Sequence, residues 1–162
     1  AQPTSIDLMK LCESSLKSLS IDYQKGGTYL AMEGPQFSSR AESNLYRKWD
    51  VDVIGMTNMP EAKLAKEAEI RYCTVAMVTD FDCWHPDHDH VDIEMVIKVL
   101  TDNASKAKSM VKNIIENFKF TVDANDDTER CLDTAIITAP EMMTEETKNK
   151  LKTVAGRVLF KK

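Results

Sequence analysis

The sequence predicts an α/β layered protein with a largely parallel sheet, and three observations lead to that prediction. Apolar segments at residues 28–32, 51–56 and 71–79 have the length and continuity of buried strands. Amphipathic segments with helical periodicity lie between them. Apolar residues make up 43% of the 162 residues, so the chain can bury a core. Strands that alternate with helices form parallel pairs, because each helix carries the chain back to the end where the previous strand began.

The first helix is predicted over residues 4–19, where apolar side chains recur at helical spacing. A glycine pair at 26–27 separates this helix from the first strand at 28–32. Gly and Pro in the following turn, residues 33–37, end that strand.

The second helix begins at a capping box, because Ser39 and Glu42 have the S-x-x-E spacing. It is predicted to continue to about residue 49 and to lead into the second strand at 51–56. A short helix over 61–69 follows, with a proline at its first turn.

The second half of the chain is predicted to contain the third strand and three helices. After the strand at 71–79 come a polar loop at 80–90, a long helix at 91–118, an acidic irregular stretch at 120–129, and helices at 131–137 and 144–159. The long helix is assigned from apolar residues that share one stripe. A break at Ala139-Pro140 separates the last two helices.

Charge and composition exclude several classes of partner. The net charge of −5 disfavours a nucleic-acid surface, which needs clustered Lys and Arg. No apolar run approaches the roughly 20 residues of a membrane span. Cys12, Cys73, Cys83 and Cys131 form no C-x-x-C pair and predict reduced thiols, although their spacing leaves a long-range disulfide open. We therefore expect a cytoplasmic protein, with the nucleus as an alternative location, and no nucleic-acid or membrane partner.

Candidate site residues follow each predicted strand, since ligands of parallel sheets bind beyond the carboxyl ends of the strands. After the first strand, Phe37 can stack on a flat ligand or pack in the core, and Ser38 can be a helix cap. After the second, Met56 can form an apolar floor for a sugar or belong to the core. Thr57 can donate to an anion or cap the next helix.

The third strand end contains two carboxylates, Asp80 and Asp82. Partial burial and mutual repulsion would raise the pKa of one of them, which could then share a proton with a ring nitrogen. A solvated loop or a pair of helix caps is the alternative interpretation of the same two residues.

A histidine-rich loop follows the acidic pair. It contains His85, His88 and His90 together with Asp87, Asp89 and Asp92. The H-x-x-H-x-H spacing is not a common zinc pattern, so a mobile, solvated gate over the site is favoured over a metal site.

Several separated motifs resemble the nucleoside phosphorylase family. They are Glu33-Gly34-Pro35-x-Phe37, Arg40-Ala41-Glu42 and Gly55-Met56-Thr57-x-x-Pro60-Glu61, with Thr79-Asp80-Phe81-Asp82-Cys83-Trp84 pointing to the methylthioadenosine branch. The similarity is expected to fade after about Phe120. The resemblance implies a three-layer fold with a mixed, largely parallel central sheet, of which residues 1–162 would be the C-terminal portion of a single domain.

Three positions separate this branch from its sister family, which acts on 6-oxopurines. The sister family has Glu at the position of Ser38, Asn at Asp80 and His at Ile93. A carboxylate accepts the exocyclic N–H of a 6-aminopurine, whereas an amide can also donate to a 6-oxo group. An apolar residue suits a methylthio group and leaves a 5′-hydroxyl unpaired. The resemblance therefore implies adenine and a methylthio sugar as the ligand.

The family's residue roles carry over to matching positions of this chain. They place Phe37 against base and sugar, Ser38, Asp80 and Asp82 at the purine, Met56 under the ribose, Thr57 at phosphate, and Ile93 and Val96 at the methylthio group, with Ile54 and Phe81 as further substrate-binding residues. The implied reaction is pentosyl transfer: phosphorolysis of 5′-methylthioadenosine to adenine and 5-methylthioribose 1-phosphate. Asp80 would act on the leaving purine. Inorganic phosphate is the implied co-substrate, without a metal or organic cofactor.

The resemblance also implies partners. The family's phosphate loop has no counterpart among the five glycines of this chain, which predicts a companion N-terminal half as a separate chain. Family members are typically trimers, so a homotrimeric assembly is expected. Two alternatives stay open: a purine nucleoside phosphorylase of broader specificity, and a non-catalytic nucleoside-binding subunit.

Overall fold

The computed structural model describes residues 2–85, 93–119 and 126–160. Its helices are α1 (Ile6–Ser18), α2 (Arg40–Lys48), α3 (Glu61–Glu67), α4 (Ile93–Asn117) and α5 (Glu145–Leu159), and its strands are β1 (Tyr29–Ala31) and β2 (Val53–Gly55). Short 3₁₀ turns cover Asp82–Trp84, Thr128–Arg130 and Pro140–Met142. Within these ranges, no helix combines the length and apolar character that a bilayer crossing requires.

The described residues divide into two compact units. The strand unit contains residues 10–58, 75–85 and 93–119, and the tail unit contains residues 2–9, 59–74 and 126–160. The candidate site residues of the sequence analysis that the structure describes all belong to the strand unit.

A parallel pair of strands forms the sheet of the strand unit, as the alternation of strands and helices predicts. Tyr29 pairs with Val53 and Ala31 with Gly55, and helix α2 connects the two strands. A further hydrogen bond, from Met32 N–H to the Gly55 carbonyl over 2.8 Å, extends the pairing past the end of β1. The α/β class is therefore confirmed, and the carboxyl ends of β1 and β2 lie at one edge.

Helix α2 begins at the predicted capping box. Ser39 has extended backbone angles, its side chain accepts from the Glu42 N–H, and the Glu42 carboxylate accepts from the Ser39 N–H over 2.7 Å. The backbone N–H and the hydroxyl of Ser39 hold the pKa of Glu42 below its usual value, because both donate to the ionised carboxylate. Two otherwise unpaired backbone donors are thereby satisfied, which starts the helix at this point.

The prediction of a third strand at residues 71–79 is wrong for the described chain. This segment adopts neither helix nor strand in the described structure, whose sheet pairs β1 with β2. The Tyr72 carbonyl accepts a backbone hydrogen bond from the Ser5 N–H over 2.7 Å, but one such bond does not make a ladder. The segment's apolar side chains are consequently open to solvent, with Val75, Met77 and Val78 exposed by 38%, 50% and 58%.

The predicted helix over residues 131–137 is also wrong. The chain forms successive turns there, with Asp133 N–H bonded to the Arg130 carbonyl and Ala135 N–H to that of Leu132. The Leu132 N–H donates to the Glu69 carboxylate over 3.1 Å, so it does not take part in an α-helical ladder. The Glu69 carboxylate has replaced the nearby backbone carbonyl that would accept this hydrogen bond in a helix.

The core of the tail unit forms around α5. Leu132, Ala155 and Leu159 are buried together, with Ile136 and Met143 packed against them. Thr144 caps α5 by accepting from the Thr147 N–H, as expected of a helix that begins near residue 144.

Candidate functional site

The first two predicted strand ends meet at a glycine. Gly34 follows β1 with a φ of +74°, a conformation that favours glycine. A Cβ added to Gly34 would overlap the Cε atom of Met56, the residue after β2. Met56 therefore lies directly against the backbone of the Glu33–Phe37 turn, and its methyl group would have to move to admit a side chain at Gly34.

The turn after β1 exposes one aromatic ring and buries the next side chain. Phe37 is 83% exposed, so the structure does not place it in the core. Ser38 is buried, and its hydroxyl donates to the Met32 sulfur over 3.5 Å. The carbonyl of Ser38 accepts from the Cys83 thiol, also over 3.5 Å. This last contact joins the turn to the loop that carries the two predicted carboxylates.

The acidic loop, residues 80–84, arranges its carboxylates by local hydrogen bonds. The Thr79 hydroxyl donates to one oxygen of Asp80 over 2.7 Å, and the Asp82 N–H donates to the other over 2.9 Å. Asp82 has a φ of +59°, a left-handed conformation that Asp tolerates better than most residues. Of the two carboxylates, for which partial burial was expected, Asp82 is half-buried and Asp80 is exposed. Each Asp80 oxygen keeps one lone pair for a ligand N–H.

Two arginines of α2 attach the acidic loop to that helix. Arg40 Nε donates to the Cys83 carbonyl over 3.4 Å. The guanidinium carbon of Arg47 lies 3.8 Å from the ring centroid of Trp84, within cation–π range. The sequence analysis missed Arg47 and Trp84 as site residues, because no local pattern relates two positions 37 residues apart.

The other predicted site residues occupy varied environments. Ile54 and Val96 are half-buried, Thr57 is exposed, and Phe81 is exposed with its ring 6.1 Å from that of Trp84. Ile93 begins α4, and its side chain lies outside the described part of the structure.

Part of the histidine-rich loop is described. The His85 ring lies 5.0 Å from the Phe81 ring. The remaining members, His88, His90, Asp87, Asp89 and Asp92, fall outside the described residues. The gate, which was favoured over a metal site, therefore stays a prediction.

Taken together, three chain segments converge. The turn after β1, the residue after β2 and the acidic loop are joined through Gly34–Met56 and Ser38–Cys83 contacts. Phe37 and Met56 present apolar surface to solvent, and Asp80 presents carboxylate oxygens. Apolar faces with a few hydrogen-bond acceptors suit a flat, amine-bearing heterocycle.

Comparison with known proteins identifies a family for this arrangement. The sequence model of the phosphorylase superfamily matches residues 1–116. S-methyl-5′-thioadenosine phosphorylase of Rhodospirillum rubrum is 59% identical over 160 residues, which cover 98% of this chain and 54% of that protein. The protein of the same name from Bradyrhizobium diazoefficiens is 53% identical, covering 98% of this chain and 55% of that protein.

Solved structures agree with this likeness. A methylthioadenosine phosphorylase from an antarctic soil metagenomic library has a TM-score of 0.80 and 38% identity, covering 94% of this chain and 54% of that chain. Methylthioadenosine phosphorylase from Schistosoma mansoni in complex with adenine has a TM-score of 0.65 and 26% identity, covering 75% and 49%.

Two facts about coverage bear on the interpretation. The chain spans about half the length of the curated relatives it matches. The match to the superfamily model ends at residue 116, as expected from a similarity that fades after about Phe120, whereas the alignment with the Rhodospirillum rubrum protein continues over 160 residues.

Proposed function

This chain belongs to the phosphorylase superfamily, and on that premise we propose that it forms the purine-facing half of an S-methyl-5′-thioadenosine phosphorylase. The observation that carries the proposal is the contact between the Cys83 thiol and the Ser38 carbonyl. It joins the acidic loop to the turn that exposes Phe37, and the purine and sugar would bind against these two segments.

The purine is recognised by hydrogen-bond acceptors. Asp80 accepts the exocyclic N–H of adenine with the lone pairs that Thr79 and Asp82 leave free. An Asn at this position could also donate to a 6-oxo group, so the carboxylate selects for 6-aminopurines. Phe37 packs on base and sugar, and Ser38, Ile54, Phe81 and Asp82 complete this side of the site.

The sugar lies over Met56, whose side chain is held against Gly34. Ile93 and Val96 surround the methylthio group. They favour it over a 5′-hydroxyl, which would have no hydrogen-bond partner in an apolar pocket. Thr57, which is exposed directly after Met56, contributes a hydroxyl to phosphate.

The reaction is a pentosyl transfer to inorganic phosphate. The bond between C1′ and purine N9 lengthens first, which leaves oxocarbenium character on the sugar and negative charge on the purine. Asp80 relieves that charge by sharing a proton at N7. Phosphate attacks C1′ from the opposite face with inversion, and the products are adenine and 5-methylthioribose 1-phosphate. The reaction needs no metal or organic cofactor.

A companion N-terminal half, which is not part of these 162 residues, supplies the phosphate loop. Two exposed apolar surfaces support this proposal. One is the segment that forms no strand in the described chain and exposes Val75, Met77 and Val78. The other is a stripe on α4 that contains Ile97, Leu100, Val111 and Ile115. Contiguous apolar surface of this kind is normally covered by another part of the protein. The assembled enzyme is a homotrimer of such pairs.

The companion is tested by mass spectrometry of an active preparation under denaturing conditions. We expect a second polypeptide with a glycine-containing phosphate loop beside the 162-residue species. An active sample that holds this chain alone would refute the companion. Native mass spectrometry of the same sample measures the number of copies.

The activity is tested by comparing 5′-methylthioadenosine, adenosine and inosine as substrates in phosphate buffer. We expect adenine release that requires phosphate and that is fastest with 5′-methylthioadenosine. A preference for inosine would reject this specificity in favour of a broader purine nucleoside phosphorylase. Calorimetry with and without phosphate distinguishes a non-catalytic subunit, because only a phosphorylase couples the two ligands.

A further inference from the structure

We propose that Arg47 and Trp84 are positioning residues, which hold the acidic loop on helix α2 so that Asp80 and Asp82 meet the purine in one orientation. The proposal rests on the proposed function for its kinetic consequence. Its structural part concerns only contacts within the strand unit.

The central contact is a stacked cation. Arg47 lies in the last turn of α2, and its guanidinium carbon is 3.8 Å from the centroid of the Trp84 ring. Trp84 is half-buried, so part of its side chain is shielded from water. A guanidinium within about 6 Å of an indole centroid is attracted by the negative face of the ring, and tryptophan is the most effective ring for this. The contact therefore holds the end of the acidic loop.

A second arginine of the same helix face holds the loop one residue earlier. Arg40 and Arg47 are seven residues apart, which is nearly two full helical turns, so their side chains leave α2 on one side. Arg40 donates to the Cys83 carbonyl over 3.4 Å, and the Cys83 thiol donates to the Ser38 carbonyl over 3.5 Å. The acidic loop is thus attached to α2 through the Cys83 carbonyl and to the turn after β1 through the Cys83 thiol.

The acidic pair is close enough in sequence to respond to these contacts. Residues Asp82–Trp84 form a single 3₁₀ turn, so a shift of Trp84 moves Asp82 with it. The Asp82 N–H in turn donates to Asp80 over 2.9 Å. The carboxylates themselves are exposed or half-buried and have little packing of their own. Local hydrogen bonds set their orientation within the loop, and the attachment at Arg47 sets where the loop holds them.

The structural part is tested by fluorescence quenching of the full 162-residue chain. The sequence has two tryptophans, so Trp49→Phe leaves Trp84 as the single emitter. In that background, Arg47→Met should increase the acrylamide quenching constant of Trp84 by about twofold or more, because the cation no longer covers the ring. Lys48→Met removes a positive charge from the same helical turn and should leave the quenching constant unchanged.

The kinetic part is tested in the enzyme assembled with its N-terminal half. Arg47→Met should lower kcat/KM for the nucleoside by about 3- to 10-fold, and Arg47→Lys, which keeps a cation at the ring, should restore much of the loss. The KM for phosphate should not change, because phosphate is bound by Thr57 and by the companion. A variant that was merely less stable would lose active enzyme and change kcat for both substrates alike.

Two results would overturn the proposal. Equal quenching of Trp84 in the Arg47→Met and Lys48→Met variants would show that the stacked contact does not form. Increased quenching with unchanged nucleoside kinetics would show that the contact has no positioning role. An assembled parent enzyme without phosphorolysis would refute the proposed function instead, and the quenching comparison would still decide whether the contact exists.

Discussion

Arg157 donates from Nε to the Glu69 carboxylate over 2.7 Å, and this pair connects α5 to the end of α3 within the tail unit. The other Glu69 oxygen accepts from the Leu132 N–H over 3.1 Å. Arg157 also contacts Asp133 over 2.6 Å. One carboxylate therefore orients a turn and a helix whose contacting residues lie 63 and 88 positions further along the chain.

Glu69→Gln should destabilise the protein by about 1–3 kcal/mol at pH 7, since it removes hydrogen bonds to a charged partner. The Arg157 guanidinium holds the pKa of Glu69 below its ordinary value. A lowered carboxylate pKa contributes stability that is complete above the unfolded value, about 4.3, and is lost as the pH falls through the folded value. The difference between parent and variant should therefore shrink between pH 5 and pH 3, which urea unfolding at each pH measures.

The matched control for this experiment is Glu67→Gln, at the exposed end of α3. It changes the net charge equally and should leave the unfolding free energy within about 0.5 kcal/mol of the parent. A Glu69 effect that persists unchanged at pH 3 would contradict the assignment to the ionised pair.

Ser39→Ala should cost about 1 kcal/mol, because it removes the side-chain acceptor for the Glu42 N–H at the start of α2. Ser39→Thr keeps a hydroxyl that can both accept from the Glu42 N–H and donate to the Glu42 carboxylate, and it should retain most of the stability. Thermal unfolding of both variants followed by circular dichroism checks this. Equal melting temperatures for the two substitutions would argue against capping as the cause.

Gly34→Ala should disturb both the backbone and Met56. The φ of +74° costs an alanine about 1–2 kcal/mol, and the added Cβ displaces the Met56 methyl. We expect a raised KM for the nucleoside in addition to lost stability. Gly26→Ala is the control, because Gly26 also has positive φ but has open space around its Cα. If both variants raised KM equally, Met56 would not be the cause.

Asp80→Asn should change the choice of purine. An amide loses the proton-sharing carboxylate, so phosphorolysis of 5′-methylthioadenosine should fall by about 100-fold or more. Activity with inosine should fall less, because the amide can donate to a 6-oxo group. Steady-state assays with both nucleosides measure the ratio. Asp102→Asn, an exposed acid on α4, is the control and should leave the ratio unchanged.

Much of the local structure could be predicted because its causes lie within a few residues. The capping box of Ser39 and Glu42 needs only a three-residue spacing, and the structure contains it. The parallel pairing of β1 and β2 follows from one helix between two apolar segments. Likewise, the turn at Gly34 was located from Gly and Pro alone.

The two wrong predictions, the strand at residues 71–79 and the helix at residues 131–137, have a different physical origin. Residues 71–79 have the composition of a buried strand, but a strand needs a ladder of backbone hydrogen bonds, and in the described chain β1 and β2 pair with each other and not with this segment. Leu132 lies in a helical pattern, but its N–H donates to Glu69, 63 residues away. Neither outcome depends on the residues nearby.

For the candidate site, the sequence determined which residue types follow each strand: an aromatic ring, a methionine and two carboxylates. Only the tertiary structure decided how they are held. It brought the Cys83 thiol to the Ser38 carbonyl, placed Arg47 over Trp84 and left Asp80 exposed. The reason is that spacing along the chain sets local hydrogen bonds, whereas contacts across about 40 residues depend on where the folded backbone carries each side chain.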